Sequence, residues 1–128
     1  MRIISLLIFL SFSQFILGDD LLSSFGEKVF KDPNISSDKK ISCSTCHKQE
    51  LLFTDGYEFA LARDFKQPRN TPSLLTLKAY THFFWDSTVD NLSEAIKSPL
   101  LDGVELRSHE RILKSQLKNK EVVKQIFK

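Results

Sequence analysis

The chain opens with an apolar-rich stretch that differs from everything after it. A basic second residue precedes the stretch 3–17, and the first acidic residues follow at Asp19 and Asp20. A charged start with a short apolar centre is typical of a secretory signal peptide, and the stretch is shorter than a bilayer-spanning helix requires. We therefore predict a signal peptide over residues 1–18 and a mature domain over 19–128, which contacts a membrane only if the signal peptide stays uncleaved.

Apolar residues recur at helical spacing in the first part of the mature domain. They predict a first helix that ends near Asp32-Pro33 and a second helix that begins near Cys43. An Asp-Gly pair at 55–56 marks a turn, and the poorly patterned stretch 57–69 fits a short strand or hairpin. The apolar positions of the first helix are Leu21, Leu22, Phe25, Val29 and Phe30.

Capping residues predict further helices in the second half of the chain. Thr71 followed by Pro72 has the form of a helix start. Asn91 with Glu94 three residues later resembles a capping box, which opens a short helix that Pro99 stops.

The last stretch of the chain predicts two more helical segments. Ser108 can cap a helix that Asn119 breaks, and the apolar residues between 122 and 127 start another segment. The apolar face of that last segment needs a partner to cover it.

Length and composition support one small, mainly α domain with short irregular segments. The 128 residues fit a single domain, and four glycines and four prolines are few for a chain of this length. The formal net charge of +2 is close to neutral, so we expect no nucleic-acid partner.

Both cysteines of the chain lie beside a histidine, in the motif Cys43-x-x-Cys46-His47. Cys-x-x-Cys-His is the attachment motif of c-type haem. On a helix, positions i, i+3 and i+4 share one face, so Cys43 and Cys46 can form thioethers to the two vinyl groups while His47 points at the iron. We predict one covalently bound haem c per chain, with His47 as its proximal iron ligand.

Three other chemistries use the same two cysteines and remain as alternatives. A thioredoxin-like redox pair needs a preceding strand and a βαβ surround, which the helical pattern does not offer. A structural zinc site needs further ligands, and only His82 and His109 remain. A plain disulfide explains neither the adjacent histidine nor the secretory start.

The sixth position of the iron is argued by exclusion. Met1 is the only methionine and is lost with the signal peptide, so the His/Met pair of electron-carrying cytochromes cannot form within this chain. The remaining choices are His82, His109, a lysine, water or an open site. We prefer an open site, which binds small ligands such as peroxide.

Four further stretches of the sequence resemble one family in the right order. They are FGEKVFKDPNISSDKKISCSTCHKQELLFTDG, PRNTPSLLTL, FFWD and SPLLDGVEL. Together they resemble the N-terminal domain of the bacterial di-haem cytochrome c peroxidases, a family that also includes the tryptophylquinone-forming di-haem enzymes. The resemblance implies a cytochrome c-like helical haem domain in the periplasm. It also implies a peroxidase, or part of one, that reduces hydrogen peroxide with electrons from a small redox protein.

The same resemblance implies roles for three residues outside the haem motif. Trp85 matches a tryptophan between the two haems that takes part in electron transfer, and Glu105 matches a glutamate that moves a proton during cleavage of the peroxide bond. Asn70 matches a residue that contributes to a calcium site. From the residues alone, Trp85 also fits a core position, Glu105 a surface acid and Asn70 a turn.

The sequence departs from the family pattern in ways that favour a second function. The stretch 60–67 lacks the histidine that many members carry before the Pro-Arg-Asn triplet, and Leu101 replaces a glutamine. The second haem domain of the family has no counterpart in these 128 residues. The alternatives are therefore a mono-haem electron-transfer module or a truncated, non-catalytic half of a peroxidase, and a second haem-bearing chain is a candidate partner.

Overall fold

A computed structural model describes residues 20–63 and 65–118 of the chain. The described part is mainly helical with one small sheet, as the pattern predicts. Helix α1 covers 20–31. The other elements are α2 (Cys43–Cys46), β1 (Leu61–Ala62), β2 (Phe65–Lys66), α3 (Leu92–Leu101), α4 (Glu110–Lys118) and 3-10 turns at Pro33–Ile35, Gln49–Leu51 and Leu77–Ala79. The predicted signal peptide, the break at Asn119 and the segment after it lie outside the described residues.

Helix α1 ends where the sequence predicts. The side chain of Asp32 accepts a hydrogen bond from the backbone N–H of Asn34 at 3.0 Å and so caps the following 3-10 turn. Pro33 occupies the first position of that turn, where its missing N–H costs nothing. The ring of Phe30 packs edge-on against Phe53 with centroids 6.3 Å apart, which attaches α1 to the loop that follows the haem motif.

The hairpin predicted within 57–69 is present. Strands β1 and β2 are antiparallel, with Leu61 opposite Lys66 and Ala62 opposite Phe65. Backbone hydrogen bonds from Gln67 to Ala60 (2.8 Å) continue the pairing beyond the strands. The hairpin therefore presents its buried residue, Ala62, to the core.

Helix α3 begins as predicted but does not end as predicted. The side chain of Asn91 accepts from the backbone N–H of Glu94 at 2.9 Å, so the cap is confirmed. The prediction that Pro99 stops the helix was wrong, because Pro99 lies inside it. The carbonyl of Pro99 accepts from Leu106 N (3.2 Å) and that of Leu100 from Ser108 N (2.8 Å). These bonds from the returning chain satisfy the helix end beyond the proline.

The helix predicted from Thr71-Pro72 is absent, and only the 3-10 turn Leu77–Ala79 forms there. The hydroxyl of Ser73 donates to the Leu52 carbonyl at 2.6 Å and accepts from the Leu75 N–H at 3.3 Å. Such side-chain bonds to the backbone compete with the helical ladder and favour a turn.

Helix α4 is capped by a different residue from the one predicted. Ser108 is buried at 6% exposure, and its hydroxyl finds no hydrogen-bond partner among the described residues. Instead, Nδ1 of His109 accepts from the backbone N–H of Ile112 at 3.4 Å. The backbone N–H of Ser108 donates to the Leu100 carbonyl at the end of α3. Because α4 begins at Glu110, its capping position is residue 109, and Ser108 lies one residue too early.

The apolar core of the described residues is small. Ile35, Ala62, Phe83 and Leu106 are its buried apolar members. Ala62 and Leu106 also line one pocket beside Cys46, so the core and the haem motif are contiguous. Within the described ranges, no helix combines the length and apolar character needed to cross a bilayer.

Candidate functional site

Helix α2 is a single turn that carries both cysteines. The backbone N–H of Ser42, just before it, donates to the hydroxyl of Thr45 at 3.0 Å. The N–H of His47 donates to the carbonyl of Cys43 at 2.9 Å, the bond of an α-helical turn. Cys43, Cys46 and His47 therefore follow one another at i, i+3 and i+4, the spacing on which the haem prediction depends.

The ring of His47 is oriented by the backbone of the next loop. Its Nδ1 lies 2.9 Å from the carbonyl oxygen of Phe53. Because a carbonyl only accepts, Nδ1 carries the proton and donates, and Nε2 keeps a lone pair for a metal. Metal-binding histidines commonly donate their second nitrogen to a carbonyl in this way.

The loop that supplies this carbonyl has an unusual backbone. Leu52 and Phe53 both have positive φ, 57° and 58°, in the left-handed region. The N–H of Phe53 donates back to the carbonyl of Lys48 at 2.8 Å. Lys48 and Thr54 also pair as an isolated antiparallel β-bridge. The reversal brings the Phe53 carbonyl to the histidine six residues earlier.

Both cysteine thiols are free and half-buried, and Cys46 lines a pocket. Burial is the main cause that raises the pKa of each thiol above its ordinary value. The negative charge of Glu105 contributes to the rise for both thiols, and that of Asp55 for Cys46. The pocket is lined by Ile41, Ser42, Cys46, Ala60, Leu61, Ala62, Gln67, Glu105 and Leu106.

Glu105 lies in the same pocket as Cys46, although the two are far apart in sequence. Its side chain is half-buried, and burial, followed by the charge of Asp102, raises the pKa of its carboxyl. The Asp102 side chain also accepts from the backbone N–H groups of Val104 (2.7 Å) and Glu105 (3.0 Å). A carboxyl with a raised pKa in the pocket beside Cys46 is suited to proton transfer.

Trp85 and Asn70 form a separate pair, and neither lines the pocket. The indole N–H of Trp85 donates to the backbone carbonyl of Asn70 at 3.1 Å. Arg69 and Asp86, their chain neighbours, form an ion pair at 3.2 Å. Trp85 is 59% exposed, which places it at the surface of the described chain rather than in its core.

The two remaining histidines lie elsewhere. His82 is exposed, with Nδ1 3.2 Å from the hydroxyl of Thr81, and His109 is exposed at the start of α4. Neither lines the pocket, and the open sixth position stays a prediction. In the part of the chain that the structure describes, no group of three or more His, Cys, Asp or Glu side chains is arranged to hold a metal ion.

Three residues near the site were not identified from the sequence. Asp102 carries no motif of its own, and Asp55 was interpreted only as part of a turn. Asp55 is 6% exposed, and its Oδ2 has no hydrogen-bond partner among the described residues. Arg63 donates to the carbonyl of Glu105 at 2.7 Å, a contact across 42 residues that no local pattern indicates.

These features fit a c-type haem. The two thiols lie on one helical turn, Nε2 of His47 is available, and the pocket beside Cys46 has mostly apolar walls with one carboxyl. A structural zinc site finds less support, because His82 and His109 do not line the pocket with Cys46 and the described residues contain no group of three or more potential metal ligands.

Comparison with known proteins assigns this arrangement to a family. The family model described as di-haem cytochrome c peroxidase matches residues 22–128. The cytochrome c551 peroxidase of Pseudomonas aeruginosa is 30% identical over 93 residues, which cover 72% of this chain and 27% of that protein. The methylamine utilization protein MauG of Methylorubrum extorquens is 31% identical over 96 residues, 74% of this chain and 27% of that protein.

Solved structures show the same fold. A MauG-like protein associated with microbial copper homeostasis superposes with a TM-score of 0.69 at 24% identity, over 80% of this chain and 31% of that one. The Y463M variant of the diheme peroxidase BthA from Burkholderia thailandensis gives 0.67 at 22% identity, over 81% and 32%. The chain thus spans about a third or less of the length of these relatives.

Proposed function

The chain belongs to the di-haem cytochrome c peroxidase family, and we propose that it is a periplasmic haem c domain that reduces hydrogen peroxide with electrons from a small redox protein. The observation that carries the proposal is the position of Glu105 in the pocket beside Cys46. Reduction of one peroxide to two waters takes two electrons and two protons, so the site must deliver both.

The haem motif supplies the attachment in this proposal. Cys43 and Cys46 form the two thioethers, and Nε2 of His47 is the proximal ligand to the iron. When bound, one haem c per chain supplies the redox centre that exchanges electrons with peroxide. The hydrogen bond from His47 to the Phe53 carbonyl fixes the orientation of the ring and its tautomer.

Glu105 handles the proton. Its carboxylate accepts a proton from one oxygen of hydrogen peroxide and returns it to the other oxygen, which leaves as the first water when the O–O bond breaks. The remaining oxygen becomes the second water with two electrons that originate from the redox protein and two protons from solvent. Burial and the charge of Asp102 raise the pKa of Glu105 above the ordinary value of a glutamate, which makes the protonated form more accessible. A partly buried carboxyl performs both transfers better than a fully solvated one.

Trp85 and Asn70 serve the electron supply in this proposal. The exposed indole of Trp85 is a relay for electrons that arrive at the surface, and its N–H bond to the Asn70 carbonyl holds it in place. The side chain of Asn70 contributes to a calcium site whose other ligands come from a second haem-bearing chain or domain.

The exposure of Trp85 also favours a second candidate function. A surface indole suits a mono-haem module that passes electrons to a partner and turns over no peroxide itself. The electron-transfer alternative requires no proton transfer by Glu105, whereas peroxide reduction does.

Substitution of Glu105 by glutamine separates the two functions. In the holoprotein, Glu105→Gln keeps the size of the side chain and removes the transferable proton. We expect peroxide-dependent oxidation of a donor to fall about 100-fold or more, the usual contribution of a general acid-base group. Glu94→Gln, at an exposed glutamate of α3, is the matched control and keeps the wild-type rate. If the wild type turns over peroxide and Glu105→Gln turns it over at the same rate, the proposal is contradicted.

A further inference from the structure

We propose that Arg63 is a positioning residue that fixes Glu105 against the pocket beside Cys46. The inference rests on the proposed function of Glu105 in proton transfer. It concerns the main chain of Glu105, because the arginine binds the carbonyl and not the carboxyl.

Arg63 lies in the turn of the hairpin between β1 and β2, and its side chain is 11% exposed. Its Nε donates to the carbonyl of Glu105 at 2.7 Å, and its Nη2 donates to the carbonyl of Leu106 at 3.3 Å. The backbone N–H of Ser37 donates to the same Leu106 carbonyl at 3.1 Å. The hairpin therefore binds the carbonyls of two consecutive residues, Glu105 and Leu106, through Arg63. The segment before Cys43 binds the second of these carbonyls as well, through Ser37.

The charge of Arg63 is balanced by Asp38. Nη1 of Arg63 pairs with Oδ2 of Asp38, whose Oδ1 accepts from the hydroxyl of Ser36 (3.0 Å) and the N–H of Lys40 (3.1 Å). The hydrogen bond from Arg63 is the main cause that lowers the pKa of Asp38 to about 2. The Arg69–Asp86 pair, in contrast, has side chains 51% and 45% exposed and is more strongly screened by solvent.

This arrangement joins the three segments that form the site. One guanidinium connects the stretch before Cys43 through Asp38, the hairpin that lines the pocket, and the stretch that carries Glu105. Because Asp38 balances the charge of the arginine, the main chain of Glu105 is held without a cation that lowers the pKa of its carboxyl. Arg63 therefore sets where Glu105 lies and leaves its acidity to burial and Asp102.

The geometry of Arg63 is specific to a guanidinium. Its planar fork presents several N–H groups in fixed directions and can reach two carbonyls and a carboxylate together. A lysine at this position keeps the charge beside Asp38 but has a single nitrogen, which cannot replace the three separate nitrogens by which Arg63 reaches its acceptors. Comparison of Arg63→Lys with Arg63→Gln thus separates position from charge.

Infrared spectroscopy of carbon monoxide added to the reduced holoprotein gives a readout that does not depend on turnover. The C–O stretching band responds to polar groups around the ligand. We expect one narrow band for the wild type, a shifted band for Glu105→Gln, and a broadened or divided band for both Arg63→Gln and Arg63→Lys. Peroxide turnover of the two Arg63 variants should fall about tenfold or more, because small displacements of a catalytic group are costly. Arg111→Gln, at an exposed arginine on α4, is the control and keeps the wild-type band.

The variants distinguish failure of this inference from failure of the proposed function. A wild-type band in both Arg63 variants, with a shifted band in Glu105→Gln, overturns the positioning role and leaves the function intact. A wild-type band in Arg63→Lys alone shows that charge suffices and also overturns it. If Glu105→Gln leaves the C–O band at its wild-type position, the proposed function is overturned. In a Glu105→Ala background, which removes the polar side chain that Arg63 is proposed to position, Arg63→Lys should change the band no further, and an added change contradicts the inference.

Discussion

The carbonyl oxygen of Phe53 accepts a hydrogen bond from Nδ1 of His47 at 2.9 Å. This contact decides the tautomer of the histidine and leaves the lone pair of Nε2 available for a metal. It depends on a loop with two successive left-handed residues, Leu52 and Phe53. The proximal side of the proposed haem site is thus built by backbone geometry as much as by side chains.

The two cysteines should contribute independently to haem attachment. Cys43→Ser and Cys46→Ser each leave one thioether, so each protein should keep its haem through denaturing electrophoresis. Each should also show a pyridine haemochrome band at longer wavelength than the wild type, because one vinyl group stays conjugated. The double variant should lose the haem on denaturation, whereas Ser44→Ala between the cysteines should match the wild type. A double variant that retains covalent haem contradicts the assignment.

Gly56 should tolerate no side chain. Its φ of 80° lies in the left-handed region, and a Cβ there would meet Cδ1 of Leu51 at 3.0 Å. Gly56→Ala should lower the free energy of unfolding by roughly 1–2 kcal/mol. The comparison variant is Gly26→Ala in α1, where an added Cβ meets nothing within 4 Å. This variant should raise the free energy of unfolding by about 0.5–1 kcal/mol. Denaturant titration measures both, and equal effects contradict the turn geometry.

Asp102 should tune the pH dependence of peroxide turnover. Its charge helps to raise the pKa of Glu105, and Glu105 must be deprotonated to accept the proton from peroxide. Asp102→Asn keeps an oxygen for the N–H groups of Val104 and Glu105 but removes the charge. The pKa of Glu105 then falls, so the acid limb of the kcat/KM profile should move to lower pH. Asp90→Asn, an exposed acid before α3, should leave the limb in place, and a limb that moves upward or not at all in Asp102→Asn contradicts the argument.

Asp38 should make folding stability depend on acid pH. Its pKa is about 2 in the folded protein, compared with about 3.9 for an unfolded aspartate. A lowered folded pKa stabilises the fold above the unfolded value, and the contribution is lost as the pH falls from about 4 to about 2. In Asp38→Asn, denaturant unfolding should show lower stability than the wild type near neutral pH and convergence with it near pH 2.

A surface pair provides the comparison for Asp38. Glu27 and Lys31 form an ion pair whose side chains are 65% and 55% exposed. Glu27→Gln should change the same profile less, because solvent screens exposed pairs. Equal profiles for the two variants would show that the Arg63–Asp38 pair is no better ordered than a surface pair.

The sequence predicted features that depend on neighbouring residues. The helix that begins at Cys43, the Asn91 cap and the hairpin within 57–69 depend on local patterns, and the structure confirms each of them. The family resemblance added Glu105, whose proximity to Cys46 no periodicity indicates. Its role, and those of Trp85 and Asn70, stay predictions.

The errors arose where distant contacts override local preference. Ser73 bonds the Leu52 carbonyl and prevents the helix that Thr71-Pro72 indicates. The end of α3 extends past Pro99 because the chain that returns at Leu106 and Ser108 satisfies its carbonyls. Arg63 was missed for the same reason, since its acceptors lie more than 40 residues away.

The main-chain acceptor of His47 has an evolutionary consequence. A carbonyl is present whatever residue occupies position 53, so substitution there alters the packing against Phe30 but does not delete the oxygen. Which residues are accepted at position 53 is therefore limited by the backbone path of the loop and not by the chemistry of the side chain. Homologues can therefore carry different residues at position 53 and still keep the hydrogen bond that orients His47.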